Sequence, residues 1–96
     1  MSSRITIYGK LNDPEIKRLK REMNVMYVEY ELVDPENNTK AQRRLADWTD
    51  KVVKWPVVEI LREDDKGSVF LTNPSEPTLR SSLYSEGILT VNSYWI

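Results

Sequence analysis

The stretch that decides the fold is ITIYGKLNDPEIKRLKRE, residues 5–22. Polar and apolar residues alternate over residues 4–8, and the β-branched and aromatic side chains there indicate a β-strand. Gly9 and the Leu-Asn-Asp that soon follows are typical of a turn. Asp13 then predicts a helix N-cap, with Pro14 at the first helical position. The stretch therefore predicts a strand that passes through a tight turn into a helix.

The predicted first helix has one apolar face. Ile16, Leu19 and Met23 recur at i, i+3 and i+7, which places them on the buried side of a helix. We therefore interpret Ile16 as a core residue. The basic residues of KRLKRE, together with their acidic neighbours, fit a solvated helix face. Asn24 is the predicted helix stop.

A second strand and a second helix follow. The segment YVEYELVD, residues 27–34, alternates again, with Val28, Tyr30 and Leu32 on one side of the predicted strand. The segment DPENNT fits a loop and the start of a helix. The apolar residues at i, i+4 and i+7 of that helix are Ala41, Leu45 and Trp48.

The last third of the chain predicts a hairpin and a third helix. WPVVEILRE reads as a strand that begins at a proline, and SVFLTN as its antiparallel partner across a short loop with Asp and Gly. Ser75 and Pro77 predict the next helix start, and Gly87 its end. Leu79 and Leu83 form its apolar stripe, with Tyr84 as a further candidate. We expect the apolar tail, ILTVNSYWI, to pack on the body as a strand or an extended segment.

The resulting order, β-α-β-α-β-β-α, predicts a single α/β domain over residues 1–96. Strands separated by helices imply right-handed parallel crossovers, and the closing hairpin adds antiparallel strands. A four-stranded mixed sheet flanked by helices on both faces satisfies these constraints.

Composition limits the chemistry. The chain has no cysteine and no histidine, which excludes thiol–disulfide exchange by these residues, thiolate or imidazole zinc sites, and Ser–His or Cys–His nucleophiles. No carboxylate run has the spacing of a calcium loop, so we expect no metal. A net charge of −1 and the lack of a long apolar run favour a cytoplasmic protein without nucleic-acid or membrane partners.

Four segments in this order resemble glutaredoxin, a member of the thioredoxin-fold superfamily. They are ITIYGK, VEYELVD, KWPVVEI and SLYSEGIL, and the resemblance extends from about residue 4 to residue 89. It implies a thioredoxin fold in which Pro56 follows a cis peptide bond.

The departures from that family concern its chemistry. The resemblance aligns Asp13 with the first, nucleophilic cysteine, Pro14 with the active-site proline, and Ile16 with the second, resolving cysteine. The glycine pair that begins the family's last helix and helps to hold glutathione is replaced within TNPSEPT, where Glu76 is the remaining acid. The chain therefore resembles a glutaredoxin without its thiols and with part of its glutathione site altered.

The candidate site consists of ligand-binding residues around the former thiol position, with no catalytic residue. Asp13 either only caps the helix or also holds a cationic or hydrogen-bond-donating partner where the family has a thiolate. Lys10 matches the lysine that meets a glutathione carboxylate, or is merely solvated. Trp55 either anchors a partner or plugs the groove. Tyr8 either packs in the core or presents its hydroxyl to the site. The candidate set is Tyr8, Lys10, Asp13, Pro14, Trp55 and Pro56.

Three functions are compatible with these residues. The first is a redox-inactive module that binds a peptide or protein partner through the cleft. The second is residual glutathione binding with transferase-like chemistry, for which the Tyr8 hydroxyl is the candidate activating group. The third is a scaffold or assembly role through the outer surface and the tail VNSYWI. We favour the first.

Overall fold

The computed structural model describes residues 4–48, 55–62 and 67–89. They form a mixed α/β fold with a four-stranded mixed sheet and three α-helices. Its elements are, in chain order, β1 (Ile5–Tyr8), α1 (Pro14–Val25), β2 (Glu31–Val33), a 3₁₀ turn (Pro35–Asn37), α2 (Thr39–Trp48), β3 (Val57–Leu61), β4 (Ser68–Thr72) and α3 (Glu76–Ser85).

The sheet has the strand order β2-β1-β3-β4. Strand β1 pairs in parallel with β2, opposing Ile7 to Leu32, and in antiparallel with β3, opposing Ile7 to Val58. Strands β3 and β4 are antiparallel. Because β1 and β2 run together and β3 runs against them, the ends of β1 and β2 and the beginning of β3 meet at one edge of the sheet.

The larger core lies between the sheet and helices α1 and α3. Alternate residues of β1 and β3 face this side, and Val28, in the segment that the sequence predicted as β2, joins them. Tyr30 and Leu32 pack against the same cluster, as the predicted alternation requires. Its buried members are Ile5, Ile7, Ile16, Leu19, Met23, Val28, Val58, Ile60, Leu79 and Leu83.

A smaller core lies on the opposite face, under α2. Ala41 and Leu45 from the helix pack with Tyr8 and Val57 from the sheet. Trp48 stacks on Phe70 of β4, with ring centroids 4.5 Å apart. Helices therefore cover both faces, as the sequence predicted.

The predicted helix starts are confirmed. Asp13 is the N-cap of α1, where its Oδ1 accepts a hydrogen bond from the Glu15 backbone N–H at 2.8 Å. Ser75 caps α3 and accepts from the Thr78 N–H at 3.4 Å. In both helices a proline occupies the first turn, where its missing N–H costs no helical hydrogen bond.

One basic residue of α1, Arg18, is paired with the acidic residues of the same helix. The Arg18 guanidinium donates to Glu15 and to Glu22 at 2.7 Å each. It also donates to the Pro74 carbonyl at 2.8 Å, which ties α1 to the loop before α3.

Strand β2 is shorter than the predicted segment 27–34. Helix α1 continues to Val25, one residue past the predicted stop, and Tyr27 then takes a left-handed conformation with φ of 56°. The Tyr27 and Val28 N–H groups still bond back to Asn24 and Met23 carbonyls. The chain is thus held to the helix end, and parallel pairing begins only at Glu31.

Two further details concern the second half of the chain. The peptide bond between Trp55 and Pro56 is cis. Tyr84 lies outside the apolar stripe of α3, because 42% of its surface is exposed. Of the predicted tail segment, Ile88 and Leu89 pack against the larger core, and residues 90–96 lie outside the described residues.

Candidate functional site

A pocket of about 210 Å³ lies at the sheet edge where β1 and β2 end and β3 begins. We call it the Trp55 pocket. Three of its residues, Lys10, Asp13 and Trp55, were predicted site residues, and they come from two separate parts of the sequence. Among the described residues, the lining consists of Gly9, Lys10, Asp13, Asp34, Pro35, Glu36 and Trp55.

The topology explains this convergence. Lys10 and Asp13 belong to the turn between β1 and α1, and the residues from Asp34 to Glu36 follow β2. Trp55 lies just before β3. In open α/β sheets, clefts form outside strand ends where successive helices go to opposite faces, and α1 and α2 do so here.

Lys10 is an exposed member of the pocket and forms an ion pair. Its Nζ lies 3.3 Å from Oε1 of Glu36, and both side chains are largely exposed. An exposed pair of this kind contributes about 0–1 kcal/mol and breaks easily. Lys10 is therefore available to other partners, although its charge is already balanced by an acid that sequence analysis did not single out.

Asp13 and Pro14 have different positions relative to the pocket. Asp13 lines the pocket while its Oδ1 caps α1, and no described residue donates a hydrogen bond to its Oδ2. That oxygen lies at the N-terminus of α1, where the helix dipole attracts negative charge. Pro14 is exposed and does not belong to the lining. Its place at the first helical position is sufficient reason for a proline.

Trp55 forms one wall of the pocket, and Pro56 lies in the layer beneath it. The Trp55 side chain lines the pocket with 44% of its surface exposed, so it does not fill the cleft. Pro56 is fully buried. A Cβ added at Gly9 would lie 3.3 Å from Pro56 Cβ and 2.9 Å from Ile16 Cδ1, so the pocket floor rests directly on the core.

Tyr8 lies outside the pocket lining and belongs to a different polar cluster. The ring is 4% exposed, and the hydroxyl donates a 2.6 Å hydrogen bond to Oε1 of Glu59. Burial, together with the hydrogen bond and the negative charge of Glu59, raises the pKa of Tyr8. The hydroxyl is consequently held in its neutral form, whereas activation of a substrate requires easy deprotonation.

Glu59 is the centre of that cluster, which we call the Glu59 network (Tyr8, Arg44, Glu59 and Ser68). Its carboxylate is 3% exposed on the central strand β3. Arg44 Nε donates to both oxygens, at 2.9 and 2.7 Å, and Arg44 Nη2 also donates to Oε2. The Ser68 hydroxyl donates to Oε2 at 2.6 Å. Both carboxylate oxygens are therefore satisfied.

The network determines the protonation state of Glu59. Burial alone would raise its pKa, but the hydrogen bonds from Arg44, Ser68 and Tyr8 outweigh burial and hold the pKa of Glu59 below its ordinary value. The same contact raises the pKa of Arg44. The pair stays ionised at neutral pH.

Sequence reasoning identified neither Glu59 nor the acids Asp34 and Glu36. A signal for Glu59 was present, because a carboxylate within the apolar run VVEIL of a central strand must be buried and must have a partner. The acids of the pocket follow β2, and only the parallel pairing of β1 with β2 brings them beside Lys10.

Three further findings concern metal binding, membrane spans and similarity to known proteins. Among the described residues, no group of three or more carboxylates is arranged to hold a metal ion. The helices within the described ranges are all too short or too polar to cross a membrane. No protein-family model matches the chain, and no curated protein sequence matches it.

Proposed function

We propose that this chain is a redox-inactive, glutaredoxin-like domain of the thioredoxin-fold superfamily that binds a peptide or protein partner through the Trp55 pocket. The arrangement of the sheet supports the first part. A parallel β1–β2 pair is extended by an antiparallel β3–β4 hairpin, with α1 and α3 on one face and α2 on the other.

The observation that carries the binding role is the Trp55 pocket itself. It combines a half-exposed indole with charged side chains from two other chain segments, at the sheet edge where the family resemblance locates its active site. Exposed aromatic residues in concave sites are typical anchors of protein interfaces. A tryptophan that merely completed a core would be covered.

Thiol chemistry is absent from this proposal because the 96 residues include no cysteine. Glutathione is a weaker candidate for the pocket than a peptide. The described part of the lining carries three carboxylates against one lysine. A ligand with two carboxylates would meet net repulsion there. The neutral, buried Tyr8 hydroxyl also argues against transferase-like chemistry.

A random-peptide phage library panned on the immobilised protein tests the proposal. We expect enrichment of peptides that bind the unaltered chain and are lost on Trp55→Ala. Tyr84→Ala is the matched control, because Tyr84 is an aromatic residue of nearly equal exposure, 42% against 44%, on α3. It should bind the selected peptides as well as the unaltered protein does.

Circular dichroism and the urea midpoint of both variants establish that they remain folded. Titration of isotope-labelled protein with glutathione to several millimolar addresses the second candidate, and we expect no shift at Lys10 or Trp55. A selection that yields no Trp55-dependent peptide would refute the binding role.

A further inference from the structure

We infer that the Trp55 pocket takes a basic side chain, preferably arginine, as the anchor of its partner. This inference rests on the proposed binding role and adds the chemical class of the anchor. Its basis is the combination of charge, an exposed indole and a small volume within one cavity.

The charge of the described part of the pocket is unbalanced. Among the described residues, its lining has three negative side chains and one positive one, Lys10. Lys10 is shared with Glu36, so the charges of Asp13 and Asp34 have no cation among the described residues. Their oxygens accept from neutral donors: Asp13 from the Glu15 N–H, and Asp34 from the Glu36 N–H and the Asn37 amide. A partner that supplies a cation would be attracted, and an anionic one repelled.

The exposed indole complements that charge. Trp55 belongs to the same lining as the two uncompensated carboxylates and is 44% exposed. The face of an indole attracts cations through its quadrupole, and tryptophan is the strongest of the aromatic residues in this respect. A cation in the pocket would thus meet carboxylates and an aromatic surface together.

The volume of the pocket favours a single side chain. Pockets that enclose a whole small-molecule ligand measure about 300–1,000 Å³, whereas this one measures about 210 Å³. Among basic side chains, arginine has a planar guanidinium that stacks on an aromatic face and bonds carboxylates with two parallel N–H groups. Lysine offers a compact charge without the stacking surface. We therefore expect arginine to bind better than lysine.

The test uses a capped pentapeptide with one arginine between glycines, and the same peptide with citrulline, lysine or glutamate in place of arginine. Citrulline keeps the size and planarity of arginine without its charge. Binding is followed by the Trp55 indole signal and the Gly9, Lys10 and Asp13 amide signals of isotope-labelled protein. We expect the affinity order arginine, lysine, citrulline, with glutamate weakest, and a loss of about fivefold from arginine to citrulline.

Two substitutions should change the affinity for the arginine peptide in opposite directions. Asp13→Asn keeps the helix cap, because asparagine caps as well as aspartate, but removes one negative charge. It should weaken arginine-peptide binding about threefold. Lys10→Gln removes the competing cation from Glu36 and should tighten binding about twofold. A pocket that selected anions would respond in the reverse direction to both changes.

The outcomes separate this inference from the proposed function. Equal shifts with arginine and citrulline peptides, or tighter binding of the glutamate peptide, would overturn the basic anchor and leave peptide binding intact. Phage-selected, Trp55-dependent peptides without basic residues would have the same meaning. Pocket signals that stay unmoved by all four peptides would overturn the inference, and the phage selection then decides the binding role by itself.

Discussion

Two polar clusters of the described residues, the Glu59 network and the Trp55 pocket, have opposite character. The Glu59 network encloses a carboxylate that is 3% exposed and gives both its oxygens protein donors. The Trp55 pocket has more carboxylates, yet its one ion pair is exposed and an oxygen of Asp13 has no donor among the described residues. A satisfied cluster rigidifies the fold, whereas an unsatisfied and accessible one can exchange water for a partner.

The comparison also shows that a cluster of reactive side chains does not by itself mark a functional site. The network contains a tyrosine, an arginine, a serine and a carboxylate with a shifted pKa, a combination that often marks catalysis. Here those groups form hydrogen bonds with one another, on the face of the sheet that α2 covers. The Trp55 pocket, in contrast, has an open surface on which a partner can bind.

The largest expected effect comes from breaking the network at Arg44. Arg44→Met keeps the aliphatic stem but leaves the Glu59 charge buried beside hydroxyls only. We expect a loss of about 2–3 kcal/mol in the free energy of unfolding, less than the roughly 3–5 kcal/mol for a fully buried pair, because Arg44 is itself half exposed. Urea unfolding measures it. Arg43→Met, the neighbouring exposed arginine, should change stability by less than about 0.5 kcal/mol. Equal effects of the two would show that the network does not stabilise the fold.

The pH dependence of the same pair gives a second effect on stability, which should be no larger than the first. Because the pKa of Glu59 is lowered in the folded chain, its contribution is present above the ordinary value of 4.5 and is lost as pH falls through the lower folded value. The stability difference between the unaltered protein and Glu59→Gln should therefore shrink below pH 4.5. A difference that stays constant or grows on acidification would contradict a lowered pKa.

Much of the fold follows from local sequence patterns. Apolar residues at helical spacing identified α1 through Ile16, Leu19 and Met23, and Asp13 and Ser75 identified helix starts, because capping is a local interaction. The bounds of β2 did not follow. They depend on the left-handed turn at Tyr27, which the alternating pattern of 27–34 conceals.

Part of the site was also predictable from local sequence patterns. Lys10, Asp13 and Trp55 lie beside element boundaries that the sequence marks, so the predicted topology already brought them together. The face that Tyr8 presents was left open, and its partner Glu59 and the Arg44 that binds Glu59 come from distant elements. Such pairing depends on the strand register and on the position of α2 over the sheet, which no local pattern records.

Tyr8→Phe distinguishes the two clusters directly. The change removes one donor to the buried Glu59 carboxylate and should cost about 1.5 kcal/mol, since hydrogen bonds to charged groups are stronger than neutral ones. Tyr27→Phe, at a tyrosine that is almost fully exposed, is the control and should be neutral. Both variants should bind Trp55-dependent peptides unchanged. Weaker peptide binding by Tyr8→Phe at full stability would instead assign Tyr8 to the pocket.

The smallest effects are expected within the pocket, where stability and binding should separate. Asp13→Ala removes the α1 cap and should cost about 1 kcal/mol, whereas Asp13→Asn should cost almost nothing. Lys10→Ala breaks only an exposed pair and should change the free energy of unfolding by less than about 0.5 kcal/mol. Urea unfolding of the three variants tests this order. A large loss of stability from Lys10→Ala would mean that the pocket, like the Glu59 network, has polar groups committed to holding the fold and not free to meet a partner.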